Sequence, residues 1–138
     1  KAAASGENIL ATTKDTPGVI ADVLLIREDI TQKNPETVQA LVNALAEATE
    51  YLQKNPDEAN KIMAANFKMK PEDVNADSKA IIFYGLRDNK AFFGTKDKKG
   101  PAYEIAANAV KFYTNQKTME KAPDLMKIID SSFIDKAK

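Results

Sequence analysis

The chain has 138 residues and contains neither cysteine nor histidine. These two absences remove thiol nucleophiles, Ser-His and Cys-His pairs, and the usual zinc ligands. Carboxylates remain as ligands for a hard cation, but no loop carries the Gly and terminal Glu that a calcium loop needs. No glycine-rich stretch is spaced to cradle a phosphate. Ser131-Ser132 has no base beside it and no Gly-rich elbow, so it does not read as a nucleophile. An enzyme is therefore not expected, and neither a metal nor an organic cofactor is implied. No excess of one charge exists: Lys plus Arg is 20 and Asp plus Glu is 20. That balance gives no electrostatic reason to bind nucleic acid or an anionic membrane. Long apolar runs are missing too. The longest, Val19 to Ile26, is broken by Asp22 and falls far short of the roughly 20 residues a membrane-spanning helix needs. No secretory leader is recognisable.

What is present is a globular composition, 43% apolar and 29% charged. Lys1 to Gly6 reads as the last turn of a helix closed by Gly6, which implies that a further part precedes it. Ile9 to Thr12 is a short strand candidate. Lys14-Asp15-Thr16-Pro17-Gly18 is a turn whose Pro-Gly pair fits the centre of type II. The β-branched and leucine-rich run Val19 to Ile26 predicts a strand buried on both faces. Arg27 to Lys33 is a polar connector of one helical turn or two.

Helix starts are explicit. Asn34-Pro35-Glu36 offers an N-cap, a proline at the first helical position and an acid on the dipole. The apolar spacing of Val38, Leu41, Val42, Leu45 and Leu52 carries this helix to about Lys54. Asn55-Pro56-Asp57-Glu58 repeats the signal, with Glu58 placed for a capping box and an apolar stripe of Ala59, Ile62, Met63 and Phe67. Pro71 opens a third helix to about Ala80. Ile81 to Leu86 is a compact apolar run that reads as a strand, and Asp88 reads as the N-cap of a brief turn ending at Gly94. A Lys-rich solvated loop, Thr95 to Gly100, precedes a helix from Pro101 to about Gln116. That helix has two apolar stripes, one through Tyr103, Ala106, Ala107, Val110 and Tyr113 and one through Ile105, Ala109 and Phe112, which predicts packing on two sides. Short helical pieces end the chain, with Leu125, Ile128, Ile129, Phe133 and Ile134 turned inward. The fold class expected is a helix-rich α/β arrangement with too few strands for a sheet of its own.

Asp22 is the most informative residue. A carboxylate inside an apolar strand has to be paired, hydrogen-bonded or turned to a cavity. It either lines a ligand cleft, or pairs with Arg27 or Arg87, the only arginines, or binds backbone amides. The turn carrying Asp15, Thr16 and Pro17 is the second candidate: its hydroxyls and amides can hold an anion, or it is an ordinary connection. Tyr84, Phe92, Phe93 and Tyr103 lie on apolar stripes and read as core.

Taken in order, these segments resemble one protein family. Ile9 to Gly18, the stretch Ala21-Asp22-Val23-Leu24-Leu25-Ile26-Arg27-Glu28-Asp29, and the helix starts at Lys33 to Val38 and Tyr51 to Ala59 carry the resemblance. Phe92-Phe93-Gly94, Gly100 to Tyr103 and Ile129 to Ile134 extend it. The chain is similar to the C-terminal part of the nitrate, sulfonate, taurine and bicarbonate group of periplasmic solute-binding proteins of ABC importers. The resemblance implies a two-lobe type II periplasmic-binding fold, incomplete in this chain. Residues 1–26 would form the end of one lobe, the crossing strands and a cleft-facing turn, and residues 27–138 the C-terminal helical part of the other lobe. It implies capture of a small oxyanion or zwitterion without catalysis, and docking on a membrane permease. It also implies a location outside the cytoplasmic membrane, and completion by an absent N-terminal half or a second copy. Asp22, Asp15, Thr16 and Pro17 would contact ligand, with Asp22 favouring an ammonium-bearing solute such as taurine. A pyrimidine or thiamine-precursor binder of the same fold is the alternative within the fold. A stand-alone helical interaction or sensor domain is the alternative outside it, and would show no large exposed apolar face.

Overall fold

The structure is a computed structural model, and residues 8, 10–16, 20–95 and 97–138 are described. Among the described residues eight helices follow one another: α1 Glu28–Lys33, α2 Pro35–Lys54, α3 Pro56–Phe67, α4 Pro71–Ala80, α5 Leu86–Phe93, α6 Pro101–Asn115, α7 Leu125–Ile128 and α8 Ser132–Lys136. The four longest, apart from α5, each begin with proline at the first helical position, as the sequence predicts. Proline has no N–H to lose there and its fixed φ suits the first turn.

The asparagine caps are a correction. Neither Asn34 nor Asn55 makes a side-chain cap bond. Each instead closes one helix while opening the next. The Asn34 N–H donates to the Ile30 carbonyl at 2.8 Å and the Asn55 N–H to the Tyr51 carbonyl at 2.8 Å. With ψ near 50° in both, the backbone is outside the extended region from which a cap side chain reaches forward. Asn55 Nδ2 turns back to the Tyr51 carbonyl as well, at 3.4 Å. The expected Glu58 capping box is likewise absent. Asp88 is not an N-cap either: α5 starts two residues earlier, Gly85 is the cap, and Asp88 accepts the Gly85 N–H at 3.1 Å from the third helical position.

Helices α1 to α4 pack in sequence, each on the next except that α2 also meets α8. Helices α5, α6 and α7 form a second run, and α8 joins the two by touching both α2 and α5. The C-terminus is the clasp. Gln39 Nε2 of α2 donates to the Phe133 carbonyl at 2.9 Å, Lys90 Nζ of α5 reaches the Ala137 carbonyl at 3.5 Å, and Ala137 is buried.

The core is built from small side chains. Val38, Val42, Ala59, Ala64, Val74, Ala102 and Ala137 are its buried apolar members. Of the α2 stripe, Val38 and Val42 are buried while Leu41 and Leu45 stand exposed. On α3, Ile62 and Phe67 are exposed. On α6, Ala109 and Phe112 of the second stripe are exposed, so the second packed side expected of α6 is not formed, and Ala107 and Tyr113 of the first stripe are exposed too. In the tail, Leu125, Ile129, Phe133 and Ile134 turn inward, but Ile128 does not.

The strands are the larger correction. Among the described residues the only β pairing is one isolated bridge, Gly94 with Lys99. Residues 10–12, 20–27 and 82–85 have no regular structure, and among the described residues no backbone partner is found for 20–26. Ile9, Val19 and the Pro17-Gly18 turn centre lie outside the described residues, as does the Lys1 to Gly6 helix end. A strand exists only when another backbone takes its N–H and C=O groups, and none among the described residues does so.

Candidate functional site

Two regions combine polar side chains with a position where a ligand has access: the segment from Leu10 to Arg27, and the junction of α2, α3 and α4.

In the first, Thr12 to Asp15 form a tight turn. Asp15 Oδ2 accepts the Thr12 N–H at 2.7 Å and the Thr12 hydroxyl at 3.0 Å. The Thr12 carbonyl accepts the Asp15 N–H at 3.0 Å, and Thr12 Oγ1 accepts the Lys14 N–H at 3.2 Å. These donors favour the ionised carboxylate. The Thr12 backbone N–H, followed by the Thr12 hydroxyl, holds the Asp15 pKa below its ordinary value. Thr16 is exposed at the end of this turn. Pro17 lies outside the described residues.

The following segment is open to solvent from Ile20 to Leu25, and Ile26 is half-buried. Leu25 is 87% exposed, Ile20 72% and Val23 54%. Asp22 is exposed with them, which corrects the expectation of a carboxylate inside a strand buried on both faces. Its pairing with Arg27 is also not formed. Arg27 makes a two-pronged ion pair with Asp29, Nε to Oδ1 at 2.9 Å and Nη2 to Oδ2 at 3.0 Å. Asp22 and the Thr12–Thr16 turn are thus near in sequence, but no hydrogen bond joins them among the described residues.

The second region escaped the sequence reading. Asn60 of α3 is only 5% exposed. Its Nδ2 donates to Asn75 Oδ1 at 3.3 Å, and its Oδ1 accepts the Ser78 hydroxyl at 2.9 Å. Asn75 and Ser78 are three apart on α4, so they present one face to α3. An open cleft of about 200 Å³ lies on one side of this ladder, with Leu52, Pro56 and Phe83 as apolar walls and Lys79 among its lining. A second, of about 320 Å³, lies on the other, with Asp57, Lys61, Pro71 and Glu72. The signal was legible in principle: a lone Asn sits among Ala59, Ile62 and Met63. The amides largely satisfy one another, so the ladder works as an interhelix fastening. Neither cleft includes Asp22 or the Thr12–Thr16 turn.

At the end of α2, the Glu58 carboxylate against the Tyr51 hydroxyl pushes that phenol above its ordinary pKa, and Lys54 lowers that of Glu50 through an ion pair one turn apart. Among the described residues no group of three or more carboxylates gathers as a metal site, and no helix is long and apolar enough to cross a membrane.

Comparison with known proteins gives one match. Residues 2–67, just under half of the chain, match the model of a family described as the NMT1-like family. That family belongs to the substrate-binding proteins of ABC transporters. The matched stretch contains the Thr12–Thr16 turn, the Ile20–Ile26 segment and helices α1 to α3. No curated protein and no solved structure matches the chain.

Proposed function

We propose that this chain is part of the solute-binding component of an ABC importer, working outside the cytoplasmic membrane and delivering its solute to a membrane permease. The observation that carries the reading is the family match over residues 2–67, which spans every residue assigned to ligand from the sequence. The exposed apolar run Ile20 to Leu25 supports it. A self-contained interaction domain would not leave Leu25 and Ile20 in water beside a backbone that finds no partner among the described residues. A segment that belongs in a two-lobed sheet would.

The solute proposed is a small oxyanion such as an aliphatic sulfonate, nitrate or bicarbonate, or a zwitterion such as taurine. Asp22, Thr16 and Pro17 are its proposed contacts. An ionised Asp22 repels a bare anion and attracts an ammonium group, which favours taurine over ethanesulfonate. The lobes would close on the solute by a hinge, and the closed form would dock on the permease. A pyrimidine thiamine precursor is the competing ligand class.

Thermal-shift measurements with taurine, ethanesulfonate, nitrate, bicarbonate and an aminopyrimidine test this. A solute at a hundredfold excess over its Kd stabilises by about 2.7 kcal/mol, which is roughly 5–10 °C in Tm for a chain of this length. Asp22→Asn should lower the taurine shift and leave the ethanesulfonate shift intact or larger. A shift with the pyrimidine alone transfers the assignment to the competing class, and no shift with any solute ends it.

A further inference from the structure

The Thr12–Asp15 turn has an unusual economy. Every residue from Leu10 to Thr16 is exposed, and among the described residues no side chain of another element bonds to this stretch. Packing therefore does not hold the turn in shape. What holds it is a closed ring of bonds within four residues, and Asp15 Oδ2 is its centre. That one oxygen takes both the Thr12 N–H and the Thr12 hydroxyl. The hydroxyl, fixed by donating its proton to the carboxylate, then presents its oxygen to the Lys14 N–H. Removing the carboxylate breaks two bonds and frees the hydroxyl that makes the third.

The same geometry bears on the ligand. A carboxylate in direct contact with an oxyanion would oppose it. A carboxylate aimed back at the donors of its own turn has part of its charge already compensated. We infer that Asp15 is a positioning residue: its carboxylate closes the turn onto Thr12 and thereby sets where Thr16 stands, without touching the solute. On this inference Asp15 acts on the solute through the turn, where the family resemblance implied a direct contact, and it rests on the solute-binding reading only for what the positioned turn is used for. Lys14 is the one charged neighbour within the turn, and it forms no ion pair with Asp15 among the described residues. The bond strength follows the ionised form. It is fully present above the ordinary carboxylate range and is lost as pH falls through the depressed Asp15 pKa.

The test compares wild type, Asp15→Asn, Asp15→Ala and Thr12→Val by amide exchange and NMR, and by calorimetric titration with taurine. Asparagine keeps an acceptor in the same place and drops the charge, while alanine drops both. Expected are a Thr12 amide whose shift titrates together with the Asp15 carboxyl, and exchange at Thr12 that is roughly three- to tenfold faster in Asp15→Ala, the range for losing ordinary hydrogen bonds. Taurine affinity should stay within about twofold of wild type in Asp15→Asn, and fall roughly three- to tenfold in Asp15→Ala. Thr12→Val should fall on the side of alanine. An unchanged Thr12 amide in Asp15→Ala overturns the inference. So does an affinity loss in Asp15→Asn equal to that in Asp15→Ala, because the charge itself would then be in contact with solute. If wild type binds none of the solutes, the solute-binding reading fails and the positioning role toward solute fails with it, while the amide data still decide separately whether Asp15 closes the turn.

Discussion

Replacing Asn60 by alanine should loosen the junction of α3 and α4 by about 1–3 kcal/mol. The side chain is 5% exposed and makes two hydrogen bonds, to Asn75 Oδ1 at 3.3 Å and from the Ser78 hydroxyl at 2.9 Å. A net bond is worth about 0.5–1.5 kcal/mol, and a stranded partner adds a desolvation cost. Here that added cost is modest, because Asn75 and Ser78 are only part-buried beside open clefts and water can reach them. The two bonds therefore set the estimate, and the longer one lies near its lower end. The shift in Tm should be roughly 3–12 °C. Urea unfolding of wild type, Asn60→Ala, Ser78→Ala and the double variant measures it directly. Ser78→Ala is the milder change and keeps the experiment readable if Asn60→Ala does not fold. The coupling between the two positions should be about 0.5–1.5 kcal/mol, as for residues sharing one bond. A single-variant loss below about 0.5 kcal/mol with no coupling would refute the view that these amides fasten the two helices.

Two further outcomes follow from the packing. Val42→Ala removes two methyl groups' worth of buried surface from α2, where it lies 8% exposed, and should cost about 1.5–2.5 kcal/mol. The same change at exposed Leu45 should cost visibly less in the same urea titration, although more carbon is removed. Gly94→Ala should be destabilising by about 2 kcal/mol or more. Gly94 has φ +73°, and an added Cβ would overlap the Gly100 nitrogen and the Lys98 carbonyl, so thermal melts should show a loss that Gly85→Ala, whose added Cβ would meet only Gln53 and Asp88 side-chain atoms at 3.5–3.6 Å, does not.

The helical part of this molecule was largely legible from local chemistry. Pro35, Pro56, Pro71 and Pro101 mark helix starts because proline's constraint acts on its own residue and its neighbour, whatever surrounds them. The end near Lys54 was legible for the same reason, since Pro56 follows it. The caps were not. Whether Asn34 and Asn55 reach forward depends on backbone angles set by the helix behind as well as the helix ahead, and two helices meeting at one residue leave no extended step between them. Gly85 and Asp88 show the converse case: the acid bonds as expected near a helix start, but one turn position decides whether it is the cap or the third residue.

The sequence by itself determined where the chain turns helical, which charges are absent, and which run is apolar enough to want a sheet. Tertiary structure decided which faces of those helices are covered. Val42 and Leu45 belong to one apolar stripe, yet the first is buried and the second is not, because burial requires another element at the right distance and nothing local supplies one. It also decided the fate of Ile20 to Ile26. Strand preference is a property of the side chains, but a strand is a contract between two backbones. With no partner among the described residues, the segment around Asp22 stays unpaired and its carboxylate is exposed.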